Sequence, residues 1–301
     1  MFGEGGDSAM PVAGISSFTS EKTQARFARA YEDMRRRRWP AETAVIDVPT
    51  SFGSTRAYRI GGEGVPFVLL SGAGGNALSW HRYMHPLAAA RQVIALDPVG
   101  EPGYSVQERP LRDGRDWANW LHETLTALDA ERVHLVGMSY GGWVALQYDL
   151  HLPGHADTIT LLDPAGFGRL SGRFLAWIMM GGLAAFSPTP IRRLAARALH
   201  NATLLDDDLV RLLRASTGFR RRQFIPPEFT DEELRKVTAP ILALLGERSQ
   251  MYDVHVVAAQ IRAQIPDVRV ETVPEAGHDL PVRSPDLVID RTIQFTAATA
   301  K

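Results

Sequence analysis

Short apolar runs recur along the chain, and each is closed by Gly, Asp or Pro. Strands that are apolar at every position are typical of a sheet covered on both faces. Helix-like stretches separate these runs, as at 117–128, 140–151 and 254–265. This alternation predicts an α/β fold with a mostly parallel sheet flanked by helices. The predicted strands of this group span residues 67–70, 93–96, 133–136, 159–162, 241–245 and 268–273.

Two further strands precede this group and differ from it in pattern. Residues 44–48 and 56–60 flank a turn-rich segment at 49–53, which predicts an antiparallel pair. The expected sheet therefore has eight strands.

The N-terminal part of the chain has a helical rather than a strand pattern. Phe27, Tyr31 and Met34 recur at helical spacing within residues 21–40, and the predicted helix ends before the Trp-Pro pair that closes this range. Residues 1–20 have no basic start and no sustained apolar core, so we expect a flexible segment rather than a signal peptide.

One interval interrupts the alternation of strands and helices. Residues 168–236, between the sixth and seventh predicted strands, contain several helix-like stretches and no strand-like run. Open α/β sheets bind ligands beyond the C-terminal ends of their strands, where this insertion would lie, so we expect a helical lid. The core α/β domain is then divided into residues 41–167 and 237–301.

Composition removes several classes of function. Thirty-three basic residues against 34 acidic ones give a net charge of −1, which argues against nucleic acid as a partner. The chain has no cysteine, which excludes thiol catalysis, disulfides and Cys-ligated zinc. The longest apolar run, residues 174–186, is far shorter than the roughly 20 residues of a membrane-spanning helix. We expect a cytoplasmic protein without a membrane span, while the oligomeric state stays open.

The strongest chemical motif is Gly137-x-Ser139-x-Gly141, between an apolar strand and a predicted helix. A tight strand-to-helix turn strains the backbone at the serine, and the flanking glycines leave room for close approach of the chain. The hydroxyl would then be exposed at a helix N-terminus. The alternative is a serine that only caps the helix beside packing glycines. The context favours Ser139 as a nucleophile.

A serine nucleophile needs a base, because the free hydroxyl is too weakly acidic to react near neutral pH. His278 follows the last predicted strand and would lie at the same sheet edge as Ser139, so it is the expected base rather than a surface histidine. Two histidine pairs at i, i+4 spacing lack the glutamate of the H-E-x-x-H zinc motif. We therefore expect no metal and no cofactor.

Four segments in this order resemble the α/β-hydrolase superfamily, specifically its lid-bearing esterase, C–C hydrolase and cofactor-free haloperoxidase-like branch. The resemblance runs from about residue 45 to residue 295 and implies that superfamily's fold. The segments are Ser71-Gly-Ala-Gly-Gly-Asn-Ala-Leu-Ser-Trp80 after the third strand, Asp97-Pro-Val-Gly-Glu-Pro-Gly-Tyr-Ser105 after the fourth, Gly137-Met-Ser-Tyr-Gly-Gly142 at the nucleophile, and Ala276-Gly-His278 at the base.

The resemblance also implies an oxyanion hole made of two backbone N–H groups, those of Ala73 and Tyr140. Such donors typically contribute about 3 to 4 kcal/mol each to transition-state stabilisation. The family usually has His-Gly where this chain has Ser71-Gly72. Because the donor is the backbone of the next residue, we expect this change to alter the support of the loop more than the hole itself.

The position of the third catalytic residue departs from the family pattern. Family members commonly carry the acid three residues after the Gly that ends the seventh strand, and Ser249 stands there. A serine cannot supply the negative charge that stabilises an imidazolium. The favoured substitute is Asp163 at the end of the sixth strand, a position that some members use. Asp253, a predicted helix N-cap, Glu247, or a Ser-His dyad without an acid remain as alternatives.

Three functions are compatible with these residues. The favoured one is hydrolysis of an ester, thioester or related acyl bond of a hydrophobic small molecule by Ser139, His278 and Asp163. The second is a lyase, cyclase or acyl-transfer enzyme that acts on a bulky metabolite with the same Ser-His pocket. The third is a non-catalytic ligand-binding protein on a hydrolase scaffold, which the intact serine and histidine disfavour.

Aromatic residues supply a weaker prediction about the substrate. Trp80 and Trp143 are expected near the oxyanion loop, and Trp177 belongs to an insertion rich in aromatic and Met side chains. Such side chains suit an adaptable apolar pocket. They would equally serve as the packing of the lid itself.

Overall fold

The computed structural model describes residues 15–168 and 171–299. Most of the predicted flexible segment, residues 1–14, therefore lies outside the described residues. The strands are β1 (Ser17–Phe18), β2 (Ala44–Thr50), β3 (Gly53–Ile60), β4 (Phe67–Leu70), β5 (Val93–Leu96), β6 (Val106–Gln107), β7 (Val133–Met138), β8 (Ala156–Leu162), β9 (Phe219–Arg220), β10 (Ile241–Gly246) and β11 (Val268–Val273).

Helices connect and cover these strands. They are α1 (Glu21–Arg38), α2 (Met84–Ala88), α3 (Gly114–Ala127), α4 (Tyr140–His151), α5 (Gly172–Ala185), α6 (Thr189–Ala198), α7 (Asp207–Ala215), α8 (Asp231–Arg235), α9 (Val254–Gln264), α10 (Leu280–Arg283) and α11 (Pro285–Thr299). Short 3-10 helices span Ala77–Trp80, Ala202–Leu205 and Ser216–Gly218.

The central sheet has the order β11-β10-β8-β7-β4-β5-β3-β2. Its six strands from β11 to β5 are parallel, whereas β3 pairs antiparallel with both β5 and β2. The eight predicted strands are thus all present, and the α/β fold with a mostly parallel sheet is confirmed. Every residue of β4, β5 and β10 is buried, as the uninterrupted apolar runs predict.

Helices pack on both faces of the sheet and enclose two apolar clusters. One cluster joins α3, α4 and α9 to one face, and the other joins α1, α2 and α11 to the opposite face. Alternate residues of β4 divide between the two clusters, with Val68 in the first and Leu69 in the second. The parallel strands therefore end together at one edge of a rigid, doubly covered sheet.

Two short pairings were not expected from the sequence. The two-residue strand β6 pairs with β3 and adds a ninth strand to the sheet. Strand β9 lies inside the interval that was expected to contain no strand, and it pairs with β1. The flexible segment was expected to extend to residue 20, whereas residues 17–18 form β1. Pairings of two residues are too short to produce an alternating pattern.

The segment between β8 and β10 is mostly helical and contains α5, α6, α7 and α8. We call its described part, residues 168 and 171–236, the helical insertion. Helix α7 packs against α1, where Arg37 and Arg38 both pair with the buried Asp208. The N-terminal helix thus fastens the insertion to the core. In the described ranges, no helix is both long and apolar enough to span a bilayer.

Candidate active site

Ser139 lies in the sharp turn between β7 and α4. Its backbone has φ 50° and ψ −115°, in the left-handed region that residues other than glycine rarely adopt. Two hydrogen bonds hold this conformation: the Ser139 N–H donates to the Leu162 carbonyl, and the Ala165 N–H donates to the Ser139 carbonyl, both at 3.0 Å. The end of the neighbouring strand β8 therefore fixes the strained turn.

The two glycines of the motif allow the chain to approach itself closely at this turn. A Cβ added to Gly137 would lie 2.5 Å from the Gly141 carbonyl oxygen, and one added to Gly141 would lie 2.2 Å from that of Leu70. Neither position has space for a side chain. The motif is thus a steric requirement of the strand-to-helix turn, as expected from the sequence.

His278 lies in the loop after β11 and faces Ser139. Its Nε2 is 3.1 Å from Ser139 Oγ, within hydrogen-bonding distance. The backbone N–H of His278 donates to Gln250 Oε1, and the ring makes an edge contact with Phe174 of the insertion at a centroid distance of 4.9 Å. The imidazole is held in a largely buried position between the sheet edge and the insertion.

Asp163 completes the row of hydrogen-bonded side chains. It directly follows β8, is fully buried and also has a positive φ, 45°. Its Oδ2 is 2.6 Å from His278 Nδ1, while Ser249 Oγ donates to the same oxygen at 2.7 Å. Its Oδ1 accepts from the Tyr252 hydroxyl at 3.1 Å and from the Gly246 N–H at 3.2 Å. These partners provide the hydrogen bonds that a buried carboxylate cannot obtain from water.

The alternative acids lie elsewhere. Asp253 caps α9, where its side chain accepts from the N–H groups of His255 and Val256. Glu247 accepts from the backbone N–H of Glu275. Neither carboxylate contacts His278, whereas Ser249, in the usual position of the acid, donates to Asp163.

The predicted oxyanion donors flank Ser139. Tyr140 is the first residue of α4, so its N–H has no acceptor within the helix. Ala73 follows Gly72, whose added Cβ would lie 3.3 Å from Ser139 Cβ. The loop after β4 thus passes directly beside the nucleophile. Ser71 Oγ is buried and has no hydrogen-bond partner among the described residues, so this side chain does not support the loop through a hydrogen bond.

Glu101 provides a support for this loop that the sequence did not reveal. Its buried Oε2 accepts from the Gly74 N–H at 2.9 Å, one residue beyond Ala73. Its Oε1 accepts from Arg221 Nε of the helical insertion at 2.6 Å. Burial raises the pKa of Glu101 to about 7, although the Arg221 cation and the Gly74 N–H act in the opposite direction.

Further contacts tie the insertion to α4 and to the segment after β5. The Arg221 guanidinium lies over the Tyr140 ring, 5.2 Å from its centroid. Gln223 Nε2 donates to the Val99 carbonyl at 2.7 Å, and Ser16 joins the Arg222 N–H to the Gln107 side chain. The oxyanion side of the site is thus assembled from three separate parts of the chain.

A cavity of about 200 Å³ opens beside the oxyanion loop. It is mostly apolar, and Trp80 contributes to its wall as expected. Trp177 instead contacts the His278 ring and lines a second, wider depression between α5 and the loop after β10. Trp143 is placed differently from the expectation, because it is fully buried against Phe224 and Phe229 and lines neither space. Trp143 lies one helical turn after Ser139, and its side chain packs in the core.

Sequence reasoning also missed the partners of the acid. Ser249 and Tyr252 contact Asp163 from the loop after β10, and Gln250 orients the backbone of His278. In the sequence, Ser249 indicates only that an acid is absent from its usual position. One sequence signal could have indicated Glu101: it is a charged residue surrounded by prolines and glycines within the segment 97–105.

Comparisons with known proteins agree with this fold. A model of the α/β hydrolase family matches residues 67–291. The chain is 28% identical over 275 residues to the uncharacterized carboxylesterase nap of Bacillus subtilis (strain 168), covering 85% of this chain and 88% of that protein. It is 25% identical over 302 residues to carboxylesterase YbfK of the same organism, covering 94% and 98% of the two chains.

A solved structure extends the likeness to three dimensions. The naproxen esterase (carboxylesterase NP) of Bacillus subtilis superposes with a TM-score of 0.80 at 26% identity, covering 92% of this chain and 99% of the other. The matched family model spans well over half of the sequence and includes the segments that carry Ser139, Asp163 and His278. The protein is an α/β-fold hydrolase, and its chain belongs to the α/β hydrolase family.

Proposed function

We propose that the protein is a serine carboxylesterase that hydrolyses esters of apolar small molecules through Ser139, His278 and Asp163. One observation carries this proposal: Ser139 Oγ, the two ring nitrogens of His278 and Asp163 Oδ2 form a continuous row with separations of 3.1 and 2.6 Å. A nucleophile, a base and an orienting acid within hydrogen-bonding reach are the requirements of acyl transfer through a serine.

In the first half of the reaction, Ser139 Oγ attacks the ester carbonyl carbon while its proton passes to His278 Nε2. Asp163 keeps the proton on Nδ1, so that Nε2 is free to accept, and its charge stabilises the imidazolium that forms. When the tetrahedral intermediate collapses, the carbon–oxygen bond breaks and His278 returns the proton to the departing alcohol. The acyl group remains on Ser139.

In the second half, water replaces the alcohol. His278 takes a proton from the water, whose oxygen attacks the acyl carbon, and the proton then returns to Ser139 as the carboxylic acid leaves. In both halves the backbone N–H groups of Ala73 and Tyr140 would receive the oxyanion. These donors are fixed before the reaction, one by the start of α4 and the other by the loop that Glu101 supports.

The surroundings of the nucleophile favour an apolar substrate of limited size. The cavity beside Gly72 is bounded by side chains from the loop after β4, from α7 and from α10. Since α7 belongs to the insertion, residues 168–236 would act as a lid that forms one wall of the pocket. The apolar lining side chains are Trp80, Met138, Leu209, Leu212, Leu213, Pro281 and Val282.

The test combines covalent labelling with turnover. A fluorophosphonate should label the wild-type protein once, at Ser139, and p-nitrophenyl esters of short apolar acids should be hydrolysed. Ser139→Ala should abolish labelling and lower kcat by about 10⁴-fold or more. Ser51→Ala is a matched control, because this serine lies in an exposed turn between β2 and β3 and should leave both readouts unchanged.

Two results would contradict the proposal. Labelling at Ser139 without turnover of any ester would favour a lyase, cyclase or acyl-transfer reaction in the same pocket. Neither labelling nor turnover in a folded protein would favour a binding protein instead.

A further inference from the structure

Exposed large apolar side chains are concentrated in one part of the helical insertion. Nine of the fourteen such side chains in the described ranges lie between residues 175 and 205. Contiguous exposed apolar surface of this kind marks a site of interaction with a protein or a membrane. The nine are Leu175, Ile178, Met179, Met180, Leu183, Phe186, Ile191, Leu194 and Leu205.

Helix α5 is apolar on two opposite sides. Leu175, Met179 and Leu183 recur every fourth residue along its outer side and are between 59% and 74% exposed. On the inner side, Phe174 and Trp177 contact the His278 ring. Packing over the active site explains the inner side, but nothing in the described part of the chain covers the outer side. Helix α6 continues the exposed surface with Ile191 and Leu194.

The charged residues of α5 and α6 are of one sign. The two helices contain four arginines and no aspartate or glutamate, although the whole chain has a net charge of only −1. Arg192 pairs with Asp207 of α7. Arg193 and Arg197 are exposed one turn apart on α6, and neither forms an ion pair with another described residue. Exposed apolar residues edged by unpaired arginines characterise helices that lie in the surface of anionic membranes.

We propose that the outer sides of α5 and α6 form a docking surface for an anionic lipid bilayer. The docking surface comprises Leu175, Ile178, Met179, Leu183, Phe186, Ile191, Leu194, Arg193 and Arg197. The apolar side chains enter the boundary between headgroups and acyl chains, while the arginines stay at the level of the lipid phosphates. The protein lies on the bilayer and does not cross it.

Charge complementarity favours lipid over a second copy of this chain. Self-association through the docking surface would bring the arginines of two copies together, and α5 and α6 offer no carboxylate to offset them. Like charges brought together at an interface are unfavourable. An anionic bilayer supplies the missing countercharge and accepts the apolar side chains at the same time.

Flotation with lipid vesicles tests this proposal independently of catalysis, because the inactive Ser139→Ala protein can be used. The protein should float with vesicles of phosphatidylglycerol and phosphatidylcholine, and much less with phosphatidylcholine alone. Binding should weaken as salt is raised from 50 to 500 mM, since salt screens exposed charges. These measurements leave the docking surface unchanged, so they do not depend on whether a surface variant folds.

Paired variants locate the binding surface. Arg193→Gln with Arg197→Gln should lower the partition coefficient for anionic vesicles roughly 30-fold. Arg112→Gln with Arg115→Gln removes two exposed arginines, one just before α3 and one within it, and should change the partition coefficient little. Leu183→Glu should reduce binding strongly, whereas Ile225→Glu, at an exposed apolar residue outside the docking surface, should not.

Three outcomes would overturn the proposal. They are equal binding to anionic and neutral vesicles, equal losses in the docking-surface variants and their controls, and no vesicle binding at all. If, in addition, analytical ultracentrifugation showed a dimer that Leu183→Glu dissociates, the surface would be an interface between copies. None of these outcomes bears on ester hydrolysis.

Discussion

The two sides of the active site are built in different ways. On the base side, Asp163 directly follows β8 and His278 lies in the loop after β11, and the carboxylate accepts from Ser249, Tyr252 and Gly246. On the oxyanion side, a glycine-rich loop depends on Glu101, which in turn pairs with Arg221 from the insertion. The first side is fixed by the sheet, whereas the second depends on how the insertion is seated.

This difference separates two kinds of sensitivity. Changes on the base side remove chemistry and should lower the rate at every pH, with little effect on the fold around them. Changes on the oxyanion side should loosen a loop, and their effect should follow the ionisation of Glu101. Four substitutions test this difference, and they follow from the largest expected effect to the smallest.

Asp163→Asn should have the largest effect. The amide cannot stabilise the imidazolium and favours the wrong tautomer of His278, so kcat should fall about 10³- to 10⁴-fold. Steady-state kinetics with a p-nitrophenyl ester measures the loss. Asp253→Asn is the matched control, since asparagine is also a good N-cap and this carboxylate does not contact His278. A comparable loss in the control, with full activity in Asp163→Asn, would move the acid to α9.

Glu101→Gln should lower kcat by about 10- to 100-fold and leave KM nearly unchanged. This loss is smaller than the removal of an oxyanion donor, because the loop keeps its donors but loses their support. The pKa of Glu101 is raised to about 7, so the group is protonated below that pH and carries its charge above it.

The pH dependence distinguishes a positioning role of Glu101 from a merely structural one. In the wild type, Glu101 must lose a proton for full activity, so its ionisation near pH 7 should steepen the acid limb of log kcat/KM. In Glu101→Gln this ionisation is absent, and the slope of the limb should fall. An unchanged slope in the variant would show that Glu101 does not govern the loop.

Stability provides a second readout for the same residue. A carboxyl group with a pKa raised by folding binds its proton more tightly in the native state, so its contribution to stability falls as pH rises from about 4.5 to 7. The Tm of Glu101→Gln should therefore fall less than that of the wild type between these two pH values. If wild type and variant show the same change of Tm across this range, the group is not protonated at the lower pH.

Arg221→Met should have an intermediate effect, about tenfold at pH 7. Removing the cation takes away an influence that lowers the pKa of Glu101, so the acid limb of kcat/KM should move to higher pH and activity should recover in alkaline buffer. Arg222→Met is the matched control, because Arg222 contributes a backbone N–H to Ser16 and its side chain is exposed. A loss in Arg221→Met that no pH recovers would indicate damage to the insertion instead.

Ser249→Ala should have the smallest effect, a reduction of kcat of about fivefold. Asp163 keeps its bonds to His278, Tyr252 and Gly246, so one charged hydrogen bond among several is lost. A much larger loss, similar to that of Asp163→Asn, would mean that the base side is less robust than its bonding suggests and would weaken the contrast between the two sides.

Local patterns were sufficient to predict part of this site. Gly137 and Gly141 predict the turn at Ser139 because packing at that turn leaves no room for a side chain, and His278 follows from its place after the last strand. Asp163 was favoured because parallel strands end at the same sheet edge, and the structure brings it to His278. All three roles remain proposals.

The partners that join distant segments could not be predicted. Glu101 and Arg221 are 120 residues apart, and no periodicity in either segment records their contact. Trp143 was misjudged for a related reason: proximity in sequence to Ser139 says little about which side of α4 a residue occupies. The Glu101–Arg221 contact and the burial of Trp143 depend on how the insertion packs against the core, which is a property of the whole fold.

The contact between Ser249 and Asp163 bears on how such enzymes diverge. Residue 163 at the end of β8 and residue 249 in the loop after β10 lie in contact, and a carboxylate could reach His278 from either position. A lineage that moved the acid from one strand to the other without losing activity would pass through a protein with both, and the two like charges would have to share a proton. Ser249→Asp would create such a protein, with two carboxylates beside His278. The proposed triad acid is thus defined by its place at the sheet edge, and the usual position in the sequence does not by itself identify it.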